Sequence, residues 1–581
     1  MVTATSFSAS RVAGTWGGLS LRWYREVLAD RSLWESVRNS VVVAVVSTAA
    51  STLLGTLAAL AIGRRDFRGR GLLGQLLNAP ILLPEIVLGI ALLSTYALVG
   101  ANLGLGTVVC GHVTLGFPVV ALVVLGRVRS LDPDVERAAL DLGATPSRAF
   151  RDVVLPALAP GILSGALVAF TVSIDDFVVT FFTAGAGAST LPLKVWALMR
   201  HGTTPAVNAA AALLVAATAL FLAAARALSA AERVPARAKW AFAAGAPSLL
   251  LLALLPPLGG TVREVRLLVY SDYFVPALAA EFEKETGVRV RVDYTNTNEE
   301  TLVKVKLGAG GHDLVIASSF LLELLAREGL LQPIEAGSVP NLSRLDPVFR
   351  GPPWDPSGRW GIPLAYGFTG IAWNSSAVAG PVESWKVLWD PAYRGRILML
   401  DDAREVFTVA YSLFGVPLDA EHADRLPEAL ELLASQKPFL RKYESNLAGD
   451  LLVRGEVDLA QTWAGQAWRA ARERPQIRFC LPKEGSLLFV DSLCIPRGAS
   501  RPAEAALLSD FLLRPENASR WMQETGYSMP YPDAVRLLPR EMRENPVFIP
   551  PVGRIGDHRV GVDLGELAPV LDHAWTQLKS R

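Results

Sequence analysis

Histidine and cysteine are scarce in this chain: six and three in 581 residues. Three cysteines exclude a disulfide-built scaffold and leave no set of thiols for a zinc site. No His-x-x-x-His pair, no Gly-x-Ser-x-Gly elbow and no Gly-x-x-x-x-Gly-Lys-[Ser/Thr] loop occurs, so the common metal, acyl-transfer and nucleotide-hydrolysis motifs are missing. An enzyme is not expected, nor a cofactor or metal held by the chain. Charge is also thin, at 19% of residues, and balances to a net +1, which gives no electrostatic case for a nucleic-acid partner. What is abundant is apolar: 51% of residues are hydrophobic and the mean hydropathy is +0.32. That excludes a disordered chain and argues against an ordinary soluble enzyme.

The averages conceal two unlike halves. Up to residue 260 the chain carries about 20 Lys and Arg against about 13 Asp and Glu; beyond it the balance reverses to about 36 against 42. Long uncharged runs occur only in the first half. Val41–Gly63, Leu72–Val99, Leu103–Gly126, Leu155–Phe181, Val207–Leu228 and Trp240–Leu258 are each long enough to cross about 30 Å of hydrocarbon as a helix. The second is broken by Pro80, Pro84 and Glu85, and the sixth by Pro247. Arginines follow the first, third and fifth runs (Arg64, Arg65, Arg68 and Arg70; Arg127, Arg129, Arg137, Arg148 and Arg151; Arg226, Arg233 and Arg237). The positive-inside rule puts those loops in the cytoplasm and everything after Thr261 outside. The basic N-terminal tail (Arg11, Arg22, Arg25, Arg31, Arg38) disagrees with that orientation, and an additional helix upstream would remove the conflict.

Several short patterns carry more than composition. Between the third and fourth runs stands Glu136-Arg-Ala-Ala-Leu-Asp-Leu-Gly143, followed by Arg151-Asp-Val-Val-Leu155-Pro156. It reads as a helix, a glycine turn and a second helix stopped by proline, an elbow able to act as a docking peg or simply as an amphipathic connector. Glu85 and His112 are costly inside a membrane, which makes them candidates either for a transport path or for helix-to-helix contacts. Asp175 and Asp176 lie at the outer end of their run, where a cation would enter or where solvated helix-end carboxylates would sit. Arg237 to Gly260 is built like a secretory signal without an Ala-x-Ala cleavage site after its apolar run, hence an uncut anchor.

The second half alternates strand-like and helical segments: Glu264–Tyr270, Pro276–Thr286, Val288–Tyr294 and Asp313–Ala317, which implies an α/β sheet. Asp402-x-x-Glu405 reads as a helix capping box. Asp491 interrupts an apolar strand, Leu487–Ile495, where an unpaired carboxylate would be expensive to bury. Cys480 and Cys494 fall on successive strands, and a disulfide between them competes with two buried thiols.

The elbow resembles the coupling loop of permease subunits of binding-protein-dependent ABC importers. Ala138, Ala139, Gly143, Leu155 and Pro156 match; the usual Glu falls at Arg137, with Glu136 beside it as a substitute. Pro84-Glu85-Ile86, Gly111-His112-Val113-Thr114, Ser173-Ile174-Asp175-Asp176 and Leu191-Pro192-Leu193-Lys194 resemble the second permease of spermidine/putrescine importers. The motifs Glu285-Thr-Gly-Val-Arg-Val, Asp313-Leu-Val-Ile, Asp401-Asp-Ala-Arg-Glu-Val-Phe407, Pro482-Lys-Glu-Gly and Asp491-Ser-Leu-Cys-Ile-Pro496 resemble periplasmic polyamine-binding proteins. The resemblance implies an all-α permease of about five spans plus one anchor helix, fused to an α/β two-lobed periplasmic-binding-protein fold of type II. It implies domains at 1–39 (tail), 40–230 (permease, coupling loop 127–156), 231–261 (linker and anchor) and 262–581 (receptor). The lobes would be 262–365 with 492–535 and 366–491 with 536–581.

The implied polyamine site is Tyr270, Ser271, Tyr273, Ser318, Asp402, Glu405, Trp463, Phe489, Asp491 and Tyr527. Phe489 stands where the pattern has Trp, and Leu321 where it has Tyr, which weakens cation–π contact. The implied partners are a dimeric ATPase subunit that alone uses ATP, a second permease subunit, a polyamine and the lipid bilayer of a bacterial inner membrane. Other organic cations as cargo, or an anchored sensor that does not transport, are the alternatives.

Overall fold

The computed structural model describes residues 6–8, 18–29, 31–64, 66–101, 103–185, 187–200, 208–209, 212, 263–295, 297–306, 311–550, 552–553 and 559–581. The chain divides into two compact units, built mainly on residues 20–196 and 261–581. The expected fifth and sixth spans, the anchor and most of the tail lie outside the described residues.

The first unit is helical. Its helices are α1 (Arg22–Ala29), α2 (Arg31–Arg64), α3 (Arg70–Leu82), α4 (Glu85–Leu98), α5 (Leu105–Arg129) and α6 (Pro133–Asp141). α7 (Pro146–Ala149), α8 (Leu155–Asp175), α9 (Val178–Thr183) and α10 (Leu191–Arg200) follow. Among the described residues, three helical stretches, Leu33–Arg64, Leu105–Arg129 and Pro146–Asp175, are long and apolar enough to cross a membrane. The expected span Leu72–Val99 is instead two helices, α3 and α4, bent by 107° at Leu83–Pro84; proline there removes the N–H that a continuous helix needs. α2 packs against α5 and α8. The backbones come close because small residues line the seam: a Cβ on Gly55 would stand 2.7 Å from the Val120 Cβ, and one on Gly116 would stand 2.7 Å from the Ser51 hydroxyl.

The coupling elbow forms as α6, a turn at Gly143 (φ 87°) and α7. The left-handed turn is why glycine is needed there. The proline does not stop the second helix. Phe150–Val154 is a π-helical turn, and Pro156 sits in the first turn of α8, where its missing N–H costs little, so one helical run continues to Asp175. The expected fourth span therefore ends at Asp175 rather than Phe181.

The second unit contains strands β1 (Glu264–Tyr270), β2 (Arg289–Thr295), β3 (Leu314–Ser318), β4 (Ile362–Asn374), β5 (Ile397–Met399), β6 (Leu440–Tyr443), β7 (Leu459–Trp463), β8 (Ile477–Cys480), β9 (Leu487–Cys494) and β10 (Arg559–Val560). They run in the order β2-β1-β3-β9-β4-β7-β5-β6, with β8 on β4 and β10 on β9. The helices that matter for the site are α11 (Pro276–Thr286), α12 (Asn298–Lys306), α13 (Ser319–Arg327), α14 (Ala403–Phe414), and α15 (Ala464–Glu473).

β4 makes two lobes out of this order. Its first part, Ile362–Phe368, pairs with β9; its second, Thr369–Asn374, pairs with β7 and β8. One apolar core gathers Val265, Leu314, Leu364, Leu493 and Phe511, and others cover the two faces of the second sheet around Phe407 and Leu433 and around Leu452 and Ala467. The lobe boundaries differ from the expected ones. Tyr366, Phe368, Leu488 and Val490 belong to the first core, and so do Leu538, Met542 and Phe548. β4 is one continuous strand with no turn residue at 365, and β9 crosses residue 491 without a break, pairing with β4 over Leu488–Leu493 and with β3 over Asp491–Cys494.

Candidate functional site

The ends of the central strands and two helix starts converge where the lobes meet. Tyr273 follows the end of β1, Ser318 ends β3, Asp491 lies within β9 opposite Ser318, and Trp463 ends β7. Side-chain direction alternates along a strand, so Phe489 and Asp491 share one face of β9.

Asp491 is 6% exposed, and the Tyr273 hydroxyl donates to its Oδ2 at 2.6 Å. Burial pushes this carboxyl up to about 7; the Tyr273 hydrogen bond pulls the other way and the charge of Asp272 adds to the rise. Glu405, 7% exposed, begins α14. Its Oε1 accepts from the Trp463 indole N–H at 2.9 Å and the Thr369 hydroxyl at 3.0 Å. Burial, and next the charge of Asp402, push Glu405 up to about 8. Its other oxygen, Oε2, is buried without a hydrogen-bond partner among the described residues, as is the Ser318 hydroxyl. Each is a vacant acceptor in an otherwise hydrogen-bonded cluster.

Asp402 caps α14 by accepting from the Glu405 backbone N–H at 3.0 Å. The reciprocal half of the expected capping box is absent, because the Glu405 carboxylate is turned to Thr369 and Trp463. Burial also raises Asp402. The aromatic residues form a continuous wall. Tyr273 meets Tyr270, Trp521 and Tyr527 edge-on at centroid distances of 5.5, 5.2 and 4.9 Å, and Phe489 meets Tyr527 at 6.2 Å.

Of the ten expected residues, nine are brought together; the Ser271 side chain lies outside the described residues. Leu321 is 1% exposed and sits in the first lobe's core, so it offers the site no surface. Several partners escaped sequence reading. Thr369 holds Glu405, and the Asn298 side-chain Oδ1 accepts from the Tyr270 hydroxyl (3.1 Å) and from the Ser318 N–H (3.2 Å). Arg469 bridges Asp272 and Tyr527. No local pattern flags a polar residue whose partner is distant in sequence. Cys480 and Cys494 are both free, so no disulfide joins them.

The membrane unit has its own polar cluster. His112 shares hydrogen bonds with the Ser173 hydroxyl through Nδ1 (2.7 Å) and the Thr180 hydroxyl through Nε2 (2.8 Å). Asp176 stands 3.2 Å from Nε2 and accepts from the Thr180 N–H and hydroxyl, both at 2.9 Å. Of the paired acids, Asp176 thus turns inward while Asp175 and Glu85 are exposed. In the elbow, Glu136 pairs with Arg64 at the end of α2, and the exposed Arg137 pairs with Asp134 at 3.0 Å. Ala138 and Ala139 lie on α6, Gly143 is at the tip, and Leu155 and Pro156 open α8.

Two lobes sharing one crossing strand, with acids and aromatics gathered where they meet, define a solute receptor; the apolar helices with a protruding elbow define a transport permease. The chain belongs to both corresponding families: residues 51–234 match binding-protein-dependent transport system inner membrane components and residues 277–548 match bacterial extracellular solute-binding proteins. It is 32% identical over 313 residues to the spermidine/putrescine-binding periplasmic protein of Escherichia coli, covering 54% of this chain and 90% of that protein. It is 38% identical over 224 residues to the putrescine transport system permease protein PotI of the same species, covering 37% and 80%. The crystal structure of the spermidine/putrescine ABC transporter substrate-binding protein PotD from Streptococcus pneumoniae, solved with calcium and HEPES, superposes with a TM-score of 0.50 at 26% identity. It covers 55% of this chain and 99% of that one. The chain is thus an inner-membrane transport component with a fused receptor, not an enzyme.

Proposed function

We propose that the chain is the permease and tethered receptor of an ATP-driven importer for polyamines. The observation that carries this reading is the cluster of Asp402, Glu405 and Asp491, desolvated and walled by Tyr270, Tyr273, Trp463, Phe489 and Tyr527. Buried carboxyls repel one another and are held partly protonated; an alkylammonium relieves both problems, and its methylenes need aromatic faces. The bare Glu405 Oε2 and the Ser318 hydroxyl are the acceptors offered to ammonium N–H groups. The chain itself holds no cofactor: ATP is used by a dimeric ATPase subunit that docks at the elbow around Gly143, and a second permease subunit completes the path through the lipid bilayer. The receptor faces outside and the elbow faces the cytoplasm. Tethering replaces a diffusive encounter by a high local concentration of receptor. Titration calorimetry of the purified full chain with putrescine and spermidine tests the reading. Heat of binding for at least one supports it, and silence with both overturns it.

A further inference from the structure

We propose that Arg404 is a positioning residue for ligand retention, one that clips the helix turn carrying Asp402 and Glu405 to the opposite lobe; the inference rests on the polyamine reading above and deepens it. Asp402 caps α14, and Glu405 is turned to Thr369 and Trp463. Arg404, between them in sequence, reaches elsewhere. Its guanidinium lies 4.0 Å over the Phe320 ring and donates to the Val562 carbonyl at 2.7 Å. α14 belongs to the second lobe, where Val406, Phe407 and Ala410 pack into the core; Phe320 stands on α13, which Leu321, Leu322 and Leu325 hold in the first. The contact therefore crosses from one lobe to the other.

Val562 is part of a strap along the same junction. Ser319, Glu323 and Arg327 recur every four residues and form one stripe on α13. Segment 561–563 runs against that stripe. The Ser319 hydroxyl donates to the Gly561 carbonyl (2.7 Å), the Asp563 N–H donates to Glu323 (3.3 Å), and Arg327 pairs with the Asp563 carboxylate (2.5 Å). Directly beyond it, Leu564 and Leu567 enter the second-lobe core. Hydrogen bonds and exposed ion pairs of this kind exchange for water at small net cost, so the seam can open when the lobes part. Arg404 joins the strap, the α13 ring and the acid-bearing turn through one side chain. Burial pushes its pKa down while the charges of Asp402, Glu299, Asp563 and Asp572 pull the other way; a desolvated guanidinium is where cation–π attraction is strongest. Without that clip the turn holding Asp402 and Glu405 loses its fixed register against Tyr273 and Asp491, and an amine bound between them escapes sooner. Arg404 itself touches no ligand in this scheme.

The test follows dissociation of radiolabelled putrescine and spermidine from the full chain in detergent, chased with unlabelled amine. Arg404→Met keeps an apolar stem but loses both contacts; it should speed dissociation about tenfold while association stays within about twofold of wild type. Phe320→Leu removes the ring alone and should speed dissociation about threefold. Because the two residues act through one contact, the double variant should match R404M rather than multiply the two effects. Arg404→Lys retains the charge without the planar fork and should fall between R404M and wild type. Should R404M fail to fold, F320L carries the same test by itself. Dissociation within about twofold of wild type in the variants that fold, effects that multiply in the double variant, or a loss seen in association instead overturns the inference and leaves polyamine binding standing. Binding of neither amine by the unaltered chain overturns the polyamine reading, and the inference with it.

Discussion

The His112 cluster of the membrane unit and the Glu405 cluster of the receptor are both buried, polar and built from residues far apart in sequence, yet they end differently. In the first, both imidazole nitrogens are hydrogen-bonded, and Asp176 caps α9 while facing the ring. Serines and threonines from α2, α8 and α9 close the rest, Ser47 reaching Ser173 at 3.0 Å. In the second, three carboxyls crowd together and one oxygen of Glu405 has no partner among the described residues. A satisfied network fastens helices to one another. An unsatisfied one of a single charge sign is a site that waits for the opposite charge.

Removing acids from the receptor should give the largest effect. Glu405→Gln or Asp491→Asn each leave a ligand ammonium without its partner, at about 2–5 kcal/mol, so diamine affinity should fall by two orders of magnitude or more. Calorimetry that finds either variant binding within threefold of wild type would break the contrast between the clusters. His112→Ala is the counterpart. It removes the imidazole partner of Asp176, Ser173 and Thr180, which keep their remaining hydrogen bonds, and should cost the membrane unit about 1–3 kcal/mol, with uptake reduced in proteoliposomes and diamine binding by the receptor intact. A drop in binding affinity on H112A would mean that the network is more than a fastening.

Gly143→Asp places a side chain on a left-handed turn, at about 1–2 kcal/mol of strain, and puts a charge at the tip of the elbow. Labelled-substrate uptake should vanish while binding persists; uptake that continues would point to another docking point, and binding without uptake by the unaltered chain would point to an anchored sensor.

The receptor cluster also carries a pH signature that the fastened cluster does not supply to binding. Because Asp491 and Glu405 are raised to about 7 and about 8, the folded receptor holds protons that the unfolded chain has already released above about pH 5. Their contribution to stability is fully present below the unfolded values and is lost as pH rises through about 7 to 8, so the ligand-free receptor should melt at lower temperature there. Diamine affinity should rise over the same window, up to about tenfold per pH unit, with proton release detectable in buffers of different ionisation enthalpy. A flat profile contradicts the crowding of the carboxyls. The smallest effect expected is that of Thr369→Val. It removes one donor from Glu405 Oε1, at about 1 kcal/mol, and should weaken binding several-fold while moving the pH midpoint upward.

Periodicity made much of the architecture legible. Glu264–Tyr270 and Pro276–Thr286 form with the bounds their patterns give, and the elbow turns at Gly143. The failures share one cause. Pro84 and Pro156 are the same residue in similar apolar company, yet one lies at a 107° bend and the other rides inside a continuing helix. What differs is the backbone before each proline: a π-helical turn, Phe150–Val154, carries the chain into α8, whereas Leu83 is extended and ends α3, and a one-dimensional pattern does not contain that choice. In the same way the acids of the site were visible, because charges stand out in apolar strands. Their partners Thr369, Asn298 and Arg469 were not, since each is unremarkable in its own segment.

By itself the sequence determined the division near residue 260, the helical character of one half and the α/β character of the other. Those follow from runs and alternations that must bury apolar faces whatever the partner. Only the tertiary structure decided where the lobes exchange along β4, which of Asp175 and Asp176 turns inward, and which carboxyl oxygen stays bare. Each of these depends on whether a distant donor arrives within hydrogen-bond range, and that distance exists only once the chain has folded.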